Sequence, residues 1–318
     1  MKGTYVFYQD GKEIYRSPNV ITKFGKRFIT SFIAGNASFN SKDLALGIAN
    51  GTEYPVLDTN SRLGFEVYRS PVNFGSIDIQ TSNGESTYGV VYKTTIPQNI
   101  SGIINEVGLY MGSRTSINQF DSKFLSAFDD NTLWYDLEGY NPAYVTSPSA
   151  RIGNNMAKWE FKPLDTTSTT REFIQNVNEI NMMGYSVNDT LTVAFYRVDT
   201  NSSKIRIKFY SSDTEYYYVD IDSLSGTGHK IVEIPMSELF LDPQGSNPSL
   251  LTISKIGIEL TRSSASSECA INFDGIRIND EDTFDPTFGM ISRSVLTTPI
   301  TKLTGRQIDI EYRIDLGF

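Results

Sequence analysis

Apolar and polar residues alternate along most of the chain, the period-two signature of strands buried on one face. Thr4-Tyr-Val-Phe-Tyr8 and Glu13-Ile-Tyr-Arg16 flank Asp10-Gly11, which predicts a hairpin closed by a two-residue turn. Three- and four-residue steps appear once, at Ile21, Phe24, Phe28, Ile29, Phe32 and Ile33, and predict one amphipathic helix stopped by Gly35-Asn36. Its polar side carries Lys23, Lys26 and Arg27 and reads as a solvated face. Short strand runs follow at 44–48, 65–69, 75–79, 89–93 and 105–111. The last run, 307–316, puts Ile308, Ile310, Tyr312, Ile314 and Leu316 on one face and so needs a sheet to lie on. The hairpin and this strand each need a partner surface. A second copy would bury Tyr5, Phe7, Tyr8 and Tyr15 between subunits, while packing inside one domain is the simpler use for them.

Residues 119–285 differ in texture. Long alternating runs at 204–209, 216–221, 230–234, 253–260 and 270–278, with no convincing helix, predict a β-sandwich. Spacing alone does not separate an insertion from a tandem arrangement. Acidic residues gather at both ends of the segment, Asp121, Asp129, Asp130, Asp136 and Glu138 at one, Glu268, Asp274, Asp280, Glu281, Asp282 and Asp285 at the other. The ends of an inserted domain lie close together, so these carboxylates would repel unless a cation sat between them.

Alternation also sorts the sandwich aromatics. With Leu191, Val193 and Phe195 facing in, Tyr196 faces out; with Ile205, Ile207 and Phe209 in, Arg206, Lys208 and Tyr210 face out; with Tyr217, Val219 and Ile221 in, Tyr216 and Tyr218 face out. Such a face can stack on pyranose rings or meet a neighbouring subunit. It can equally be ordinary cross-strand Tyr–Arg packing. Trp134 and Trp159 read as core anchors.

Composition narrows the chemistry. At 318 residues the chain has room for two domains, and a net charge of −9 opposes binding to nucleic acid. The apolar runs are too short for a membrane span, and no hydrophobic signal region follows Met1-Lys2-Gly3. A single cysteine, Cys269, points to synthesis in a reducing cytoplasm. His229, the one histidine, sits in Gly226-Thr-Gly-His-Lys230 and reads as an exposed loop residue. Phosphate-loop and dinucleotide motifs are absent, and no Gly-x-Ser-x-Gly elbow accompanies that histidine, so the expectation is a non-enzyme. A glycosidase carboxylate pair would carry no local signature and stays open.

Two stretches carry a family likeness. Asn19 to Ile33, Leu44-Ala-Leu-Gly-Ile-Ala49, Arg62-Leu-Gly-Phe-Glu-Val-Tyr-Arg-Ser-Pro-Val72, Asn105-Glu-Val-Gly-Leu-Tyr110 and Ile308-Asp-Ile-Glu-Tyr-Arg313 together resemble virion structural proteins of tailed bacteriophages. Phe128 to Trp134, Lys158-Trp-Glu-Phe161 and Asn272-Phe-Asp-Gly-Ile-Arg-Ile278 resemble jelly-roll modules of the carbohydrate-binding kind. The second likeness implies a structural Ca2+ where first and last strands meet, with Asp129, Asp130 and Asp274 as ligands, and a glycan face of Tyr196, Tyr210, Tyr216, Tyr218 and Arg206. An acidic solvated loop is the alternative to the calcium site. The expected protein is mainly β, a jelly-roll sandwich (119–285) inserted into a smaller α+β base domain (1–118 and 286–318) with one amphipathic helix. It would be a structural part of a virion (tail, baseplate, collar or fibre) whose partners are its own copies, other virion proteins and, in the alternative adhesin reading, a host-surface glycan.

Overall fold

The computed structural model describes residues 2–36, 42–48, 56–82, 85–111, 124–137, 139, 141–146, 150–161, 168–185, 187, 189–222, 224–239, 243–279 and 289–315. Of the acidic residues noted above, Asp121, Glu138, Asp280, Glu281, Asp282 and Asp285 lie outside them, as does Leu316. The chain divides into two compact units, Met1–Asp121 with Arg151–Gly153 and Phe284–Phe318, and Ser122–Ala150 with Asn154–Thr283.

Unit 1 runs through β1 (Lys2–Gln9), β2 (Lys12–Pro18), β3 (Val20–Ile21), α1 (Lys23–Ile33), β4 (Lys42–Ile48), β5 (Phe65–Pro71), β6 (Asn73–Ser82), β7 (Glu85–Ile96) and β8 (Gly102–Met111). Unit 2 contributes β9 (Phe124–Ser126), β10 (Trp134–Asp136), β11 (Ala143–Thr146), β12 (Asn155–Phe161), β13 (Thr170–Ile180), β14 (Thr190–Arg197), β15 (Ser202–Tyr210), β16 (Tyr216–Ile221), β17 (Gly228–Pro235), the single turn α2 (Met236–Leu239), β18 (Pro243–Gln244), β19 (Ile253–Arg262) and β20 (Cys269–Asn279). The chain then returns to unit 1 with β21 (Gly289–Lys302) and β22 (Ile308–Asp315).

In unit 1 one antiparallel sheet has the order β2-β1-β22-β7-β6 and the other β3-β21-β8-β4-β5. Asp10 and Gly11 both take positive φ (51° and 73°), so the first hairpin closes through the turn its sequence predicts. The alternating 308–314 run lies between β1 and β7, with Ile308, Ile310 and Tyr312 buried. Tyr5 and Phe7 are fully buried inside this unit; Tyr5 Oη is 2.7 Å from Ser292 Oγ, and its ring lies 4.6 Å from that of Tyr312. Tyr5 and Phe7 are therefore covered within one chain, whereas Tyr8 and Tyr15 are half-buried. The helix begins at the Thr22 cap, whose hydroxyl accepts from Gly25 N. A side chain at Gly25 would meet the Ile291 carbonyl at 2.2 Å, so glycine is what lets α1 approach β21. Only the first half of the apolar stripe is covered: Phe28 is buried, whereas Phe32 and Ile33 are exposed.

The short motifs of unit 1 become a buried charge network. Glu106 is fully buried, accepts from Gly64 N (2.7 Å) with one oxygen and pairs with Arg293 (2.7 Å) through the other. Arg69 and Glu66 form a two-pronged pair, both bonds 2.6 Å, with the Arg69 guanidinium 4.1 Å from the Tyr110 ring centre. Buried charges at these positions must be partnered, which is why each of these polar residues recurs inside an apolar run.

Unit 2 is an antiparallel β-sandwich with sheets ordered β10-β13-β19-β15-β16-β18 and β11-β12-β20-β14-β17, the chain crossing repeatedly between them in jelly-roll fashion. Inward residues of both sheets make one core. At one end of it Phe128, Trp134, Trp159, Phe173 and Phe273 pack edge to face and stacked, with ring centres about 5 Å apart (Trp134–Trp159 5.2 Å, Trp159–Phe173 4.9 Å, Trp159–Phe273 4.8 Å).

Candidate functional site

The outer face of the β13-β19-β15-β16 sheet is built in registered rows. Glu172, Glu259, Arg206 and Asp220 lie side by side across the four strands. Ile174, Gly257, Lys208 and Tyr218 form the next row, and Asn176, Lys255, Tyr210 and Tyr216 the one after. Two carboxylates directly opposite one another would repel. Lys208 Nζ reaches back between rows and donates to both, at 2.8 Å to Glu172 and 2.9 Å to Glu259. Burial lowers the affinity of this amine for its proton, but the two carboxylate bonds outweigh that and hold its pKa above the ordinary lysine value. Gly257 makes the arrangement possible, since a Cβ there would lie 2.2 Å from Glu172 Oε1 and 2.9 Å from the Tyr210 ring. Tyr210 uses that space to donate to Glu172 at 2.7 Å. Its phenol pKa is pushed far up, first by burial and then by that carboxylate.

Four of the five residues expected on a glycan face therefore share one sheet face, with different exposures. Tyr210 is buried, its hydroxyl already engaged. Arg206 forms a two-pronged pair with Asp220 (2.7 and 2.8 Å), the chief reason its pKa is raised, and lies 3.9 Å from the Tyr218 ring centre. Lys208 stands 5.1 Å from the Tyr216 ring centre. Tyr216 and Tyr218 remain half-exposed, their ring centres 6.3 Å apart. Tyr196 lies on β14 of the other sheet, opposite His229 and Asn272, and does not join them. Lys208 was read as outward-facing from alternation, whereas Glu172, Glu259 and Gly257 were not singled out from the sequence. Only the cross-strand register, absent from a one-dimensional pattern, brings them together.

The acidic candidates separate. Asp129 is part-buried, and its Oδ1 accepts from Asn154 N (2.7 Å) and Asn155 N (2.9 Å). Burial is the main cause of its raised pKa, and the Asp274 charge adds to it. Asp130 is exposed and turns its Oδ1 to Thr132 N (2.9 Å) and Oγ1 (2.6 Å), capping a short 3-10 turn. Asp274 is fully buried at a bulge of β20, where both Asp274 and Gly275 oppose the stretch of β14 around Ala194. Its Oδ2 is 3.2 Å from Nε2 of His229. That histidine is on β17 with its side chain 6% exposed, which corrects the exposed-loop reading; the strand starts at Gly228, two residues before the 230–234 run read from the sequence. Among the described residues no group of three or more His, Cys, Asp or Glu side chains converges as a metal cage.

These are the features of a two-unit, antiparallel β protein whose sandwich bears a charged, tyrosine-lined sheet face and whose other unit is tied by buried ion pairs. Residues 16–116, within that other unit, match the family described as phage tail-collar fibre protein, N-terminal. This segment holds the helix and, apart from Ile308–Arg313, the strand motifs on which the resemblance to tailed-phage virion proteins rests. No curated protein matches the chain. Among solved structures, a family 11 carbohydrate-binding module from Clostridium thermocellum is similar at 20% identity and TM-score 0.35, covering 49% of this chain and 94% of that one. The surface glycan-binding protein PbSGBP-B from Prevotella bryantii gives 13% and 0.35 over 62% and 73%. An exo-beta-agarase gives 12% and 0.38, and the chain spans about a quarter of its length (26%).

Proposed function

We propose that the chain is a non-enzymatic structural component of a bacteriophage virion. In this reading unit 1 serves assembly with other virion proteins and the sandwich is presented outward. The match of residues 16–116 to the tail-collar fibre family carries the reading, and the buried Glu106–Arg293 and Arg69–Glu66 pairs are consistent with a stiff attachment scaffold. Electron microscopy of particles decorated with an antibody to this chain tests it: label on the tail is expected, and unlabelled intact virions would end the proposal.

A second reading, contact of the sandwich with a host-surface glycan, is favoured by the half-exposed Tyr216 and Tyr218 beside Arg206, an arrangement able to stack on a sugar ring. Binding to a glycan array that disappears in Tyr216→Ala with Tyr218→Ala supports it, and an array blank for the intact protein removes it. The proposal extends to a structural calcium at Asp129 and Asp274, supported by the mutual repulsion of two part-buried or buried carboxylates. Calcium takes about six to eight oxygens, more than these two side chains supply. A melting curve that calcium and chelator leave equal would remove the ion.

A further inference from the structure

The second sheet of the sandwich, β11-β12-β20-β14-β17, turns a polar row of its own away from the core. Trp159, Ile271, Phe273 and Phe195 of its strands belong to the core, so Lys158, Asn272 and Tyr196, next to them in sequence, stand on the opposite side. Register lines these up: Lys158 is paired with Asn272, Asn272 with Tyr196, and Tyr196 with His229. Four strands about 4.8 Å apart make the row about 14 Å long. Asn272 and Tyr196 are on the interior strands β20 and β14, whose backbones are paired on both sides, so side chains alone are on offer there.

The ends of the row are engaged. Lys158 Nζ pairs with Glu160 on its own strand at 2.5 Å, and His229 Nε2 meets Asp274 at 3.2 Å. Asn272 is different. It is 6% exposed, and among the described residues no donor reaches its Oδ1. An acceptor buried without a donor weakens a fold, and native structures hold few of them. Tyr196 on one side of the amide is half-exposed, and Lys158 on the other keeps 31% of its side chain in solvent. A rotamer change of that long side chain uncovers the amide without any movement of the sheet.

We infer that this row is a second sugar site of the sandwich, where a neutral pyranose lies against the Tyr196 ring and one of its hydroxyls donates to Asn272 Oδ1. The inference rests on the glycan reading above and adds to it a site on the sheet opposite Tyr216 and Tyr218. Chemistry selects the ligand. An aromatic ring beside an acceptor in want of a donor matches a molecule with a C–H face and hydroxyls at its edge. An anion meets no cation here that is not already engaged by a carboxylate, and Glu160, Asp274 and the net charge of −9 oppose a phosphate. A purely apolar ligand would leave the amide as it is. An extended peptide would need an open strand edge, which β20 and β14 lack.

Saturation-transfer difference NMR of the full chain with D-glucose, D-galactose, D-mannose and N-acetyl-D-glucosamine, each at millimolar concentration, tests it. One ring held at one aromatic is a weak contact, read in solution rather than on a washed array. At least one of the four sugars should receive saturation from the parent protein, and Tyr196→Ala should reduce that signal severalfold while Tyr216→Ala with Tyr218→Ala retains it. No transfer to any of the four overturns the site, whereas the glycan reading itself is decided by the array. Undiminished transfer from Tyr196→Ala also overturns the site, and loss in the Tyr216, Tyr218 variant instead would keep the glycan reading at the other face. Asn272→Leu gives a readout without sugar: it should melt at or above the parent temperature, because its amide oxygen makes no bond in the chain, and should show no transfer. A lower melting temperature would mean that the fold itself uses this amide, and would overturn the site.

Discussion

His229 Nε2 lies 3.2 Å from Asp274 Oδ2, the two reaching each other from β17 and β20 across the intervening strand β14. On that strand Tyr196 is paired with His229, and Ala194 with Ile231 on one side and Gly275 on the other. The bulge at Asp274 turns an acidic side chain out of the strand's regular alternation and toward the imidazole. Replacing His229 with Ala leaves a fully buried carboxylate without this contact, and should lower unfolding free energy by about 1.5–3 kcal/mol. His229→Ala and Asp274→Asn together should cost less than the sum of the singles. Additive costs in urea denaturation would show that the pair is not coupled.

Asp129 gives a pH signature. Its pKa is raised above the ordinary carboxylate value, chiefly by burial, so the ionised form is the disfavoured one in the folded state. The stability this group contributes is complete below its unfolded pKa, about 4, and is lost as pH rises through the folded value. Asp129→Asn keeps an acceptor for the Asn154 and Asn155 amides yet has no charge to bury. Melting temperatures taken between pH 3 and 8 should therefore move in the variant's favour as pH rises. A constant offset would mean that burial of Asp129 has no electrostatic cost.

Lys208 is the cation that lets Glu172 and Glu259 face each other. Lys208→Met should destabilise the sandwich by about 2–4 kcal/mol, because it strands two carboxylates on a poorly solvated sheet face. Adding Glu259→Gln should recover part of that loss. Gly257→Ala tests the same arrangement sterically and should also destabilise, since its Cβ would press on the Glu172 carboxylate. Unchanged denaturation midpoints in both single variants would contradict this account of the face.

Cys269 is buried, with its thiol pKa pushed up to about 12, mainly by desolvation. At neutral pH the thiolate is scarce and shielded, so a thiol reagent should label the native protein slowly and the denatured protein at once. Rapid stoichiometric labelling of native protein would require this strand to open on its own.

Much of the fold was legible because the core follows local alternation. Ile308, Ile310 and Tyr312 announce one buried strand face, and Asp10-Gly11 announces its turn, within a few residues each. The helix was legible in extent but not in coverage, since nothing in Phe32 or Ile33 says whether a neighbour reaches them. The candidate site was less legible. Tyr216, Tyr218, Arg206 and Tyr210 were placed on one face by alternation alone. Their neighbours Glu172 and Glu259 come from strands distant in sequence, and the strand order that makes them adjacent has no local signal. His229 was misread because its glycine-rich flank suggests a loop, whereas its partner Asp274, 45 residues on, holds it in a strand.

The place of β22 has a consequence for how the chain is made. In the sheet ordered β2-β1-β22-β7-β6, residues 308–315 separate β1 from β7, so the strand at Lys2–Gln9 has its partner on that side only after some 300 further residues are synthesised. At about 5–20 residues per second, the first hairpin waits on the order of fifteen seconds to a minute. During that wait Tyr5 and Phe7 lack the strand that buries them, while every strand of the sandwich leaves the ribosome earlier than β22 does. Slow translation or a missing β22 should thus leave a folded sandwich attached to an open, aggregation-prone edge.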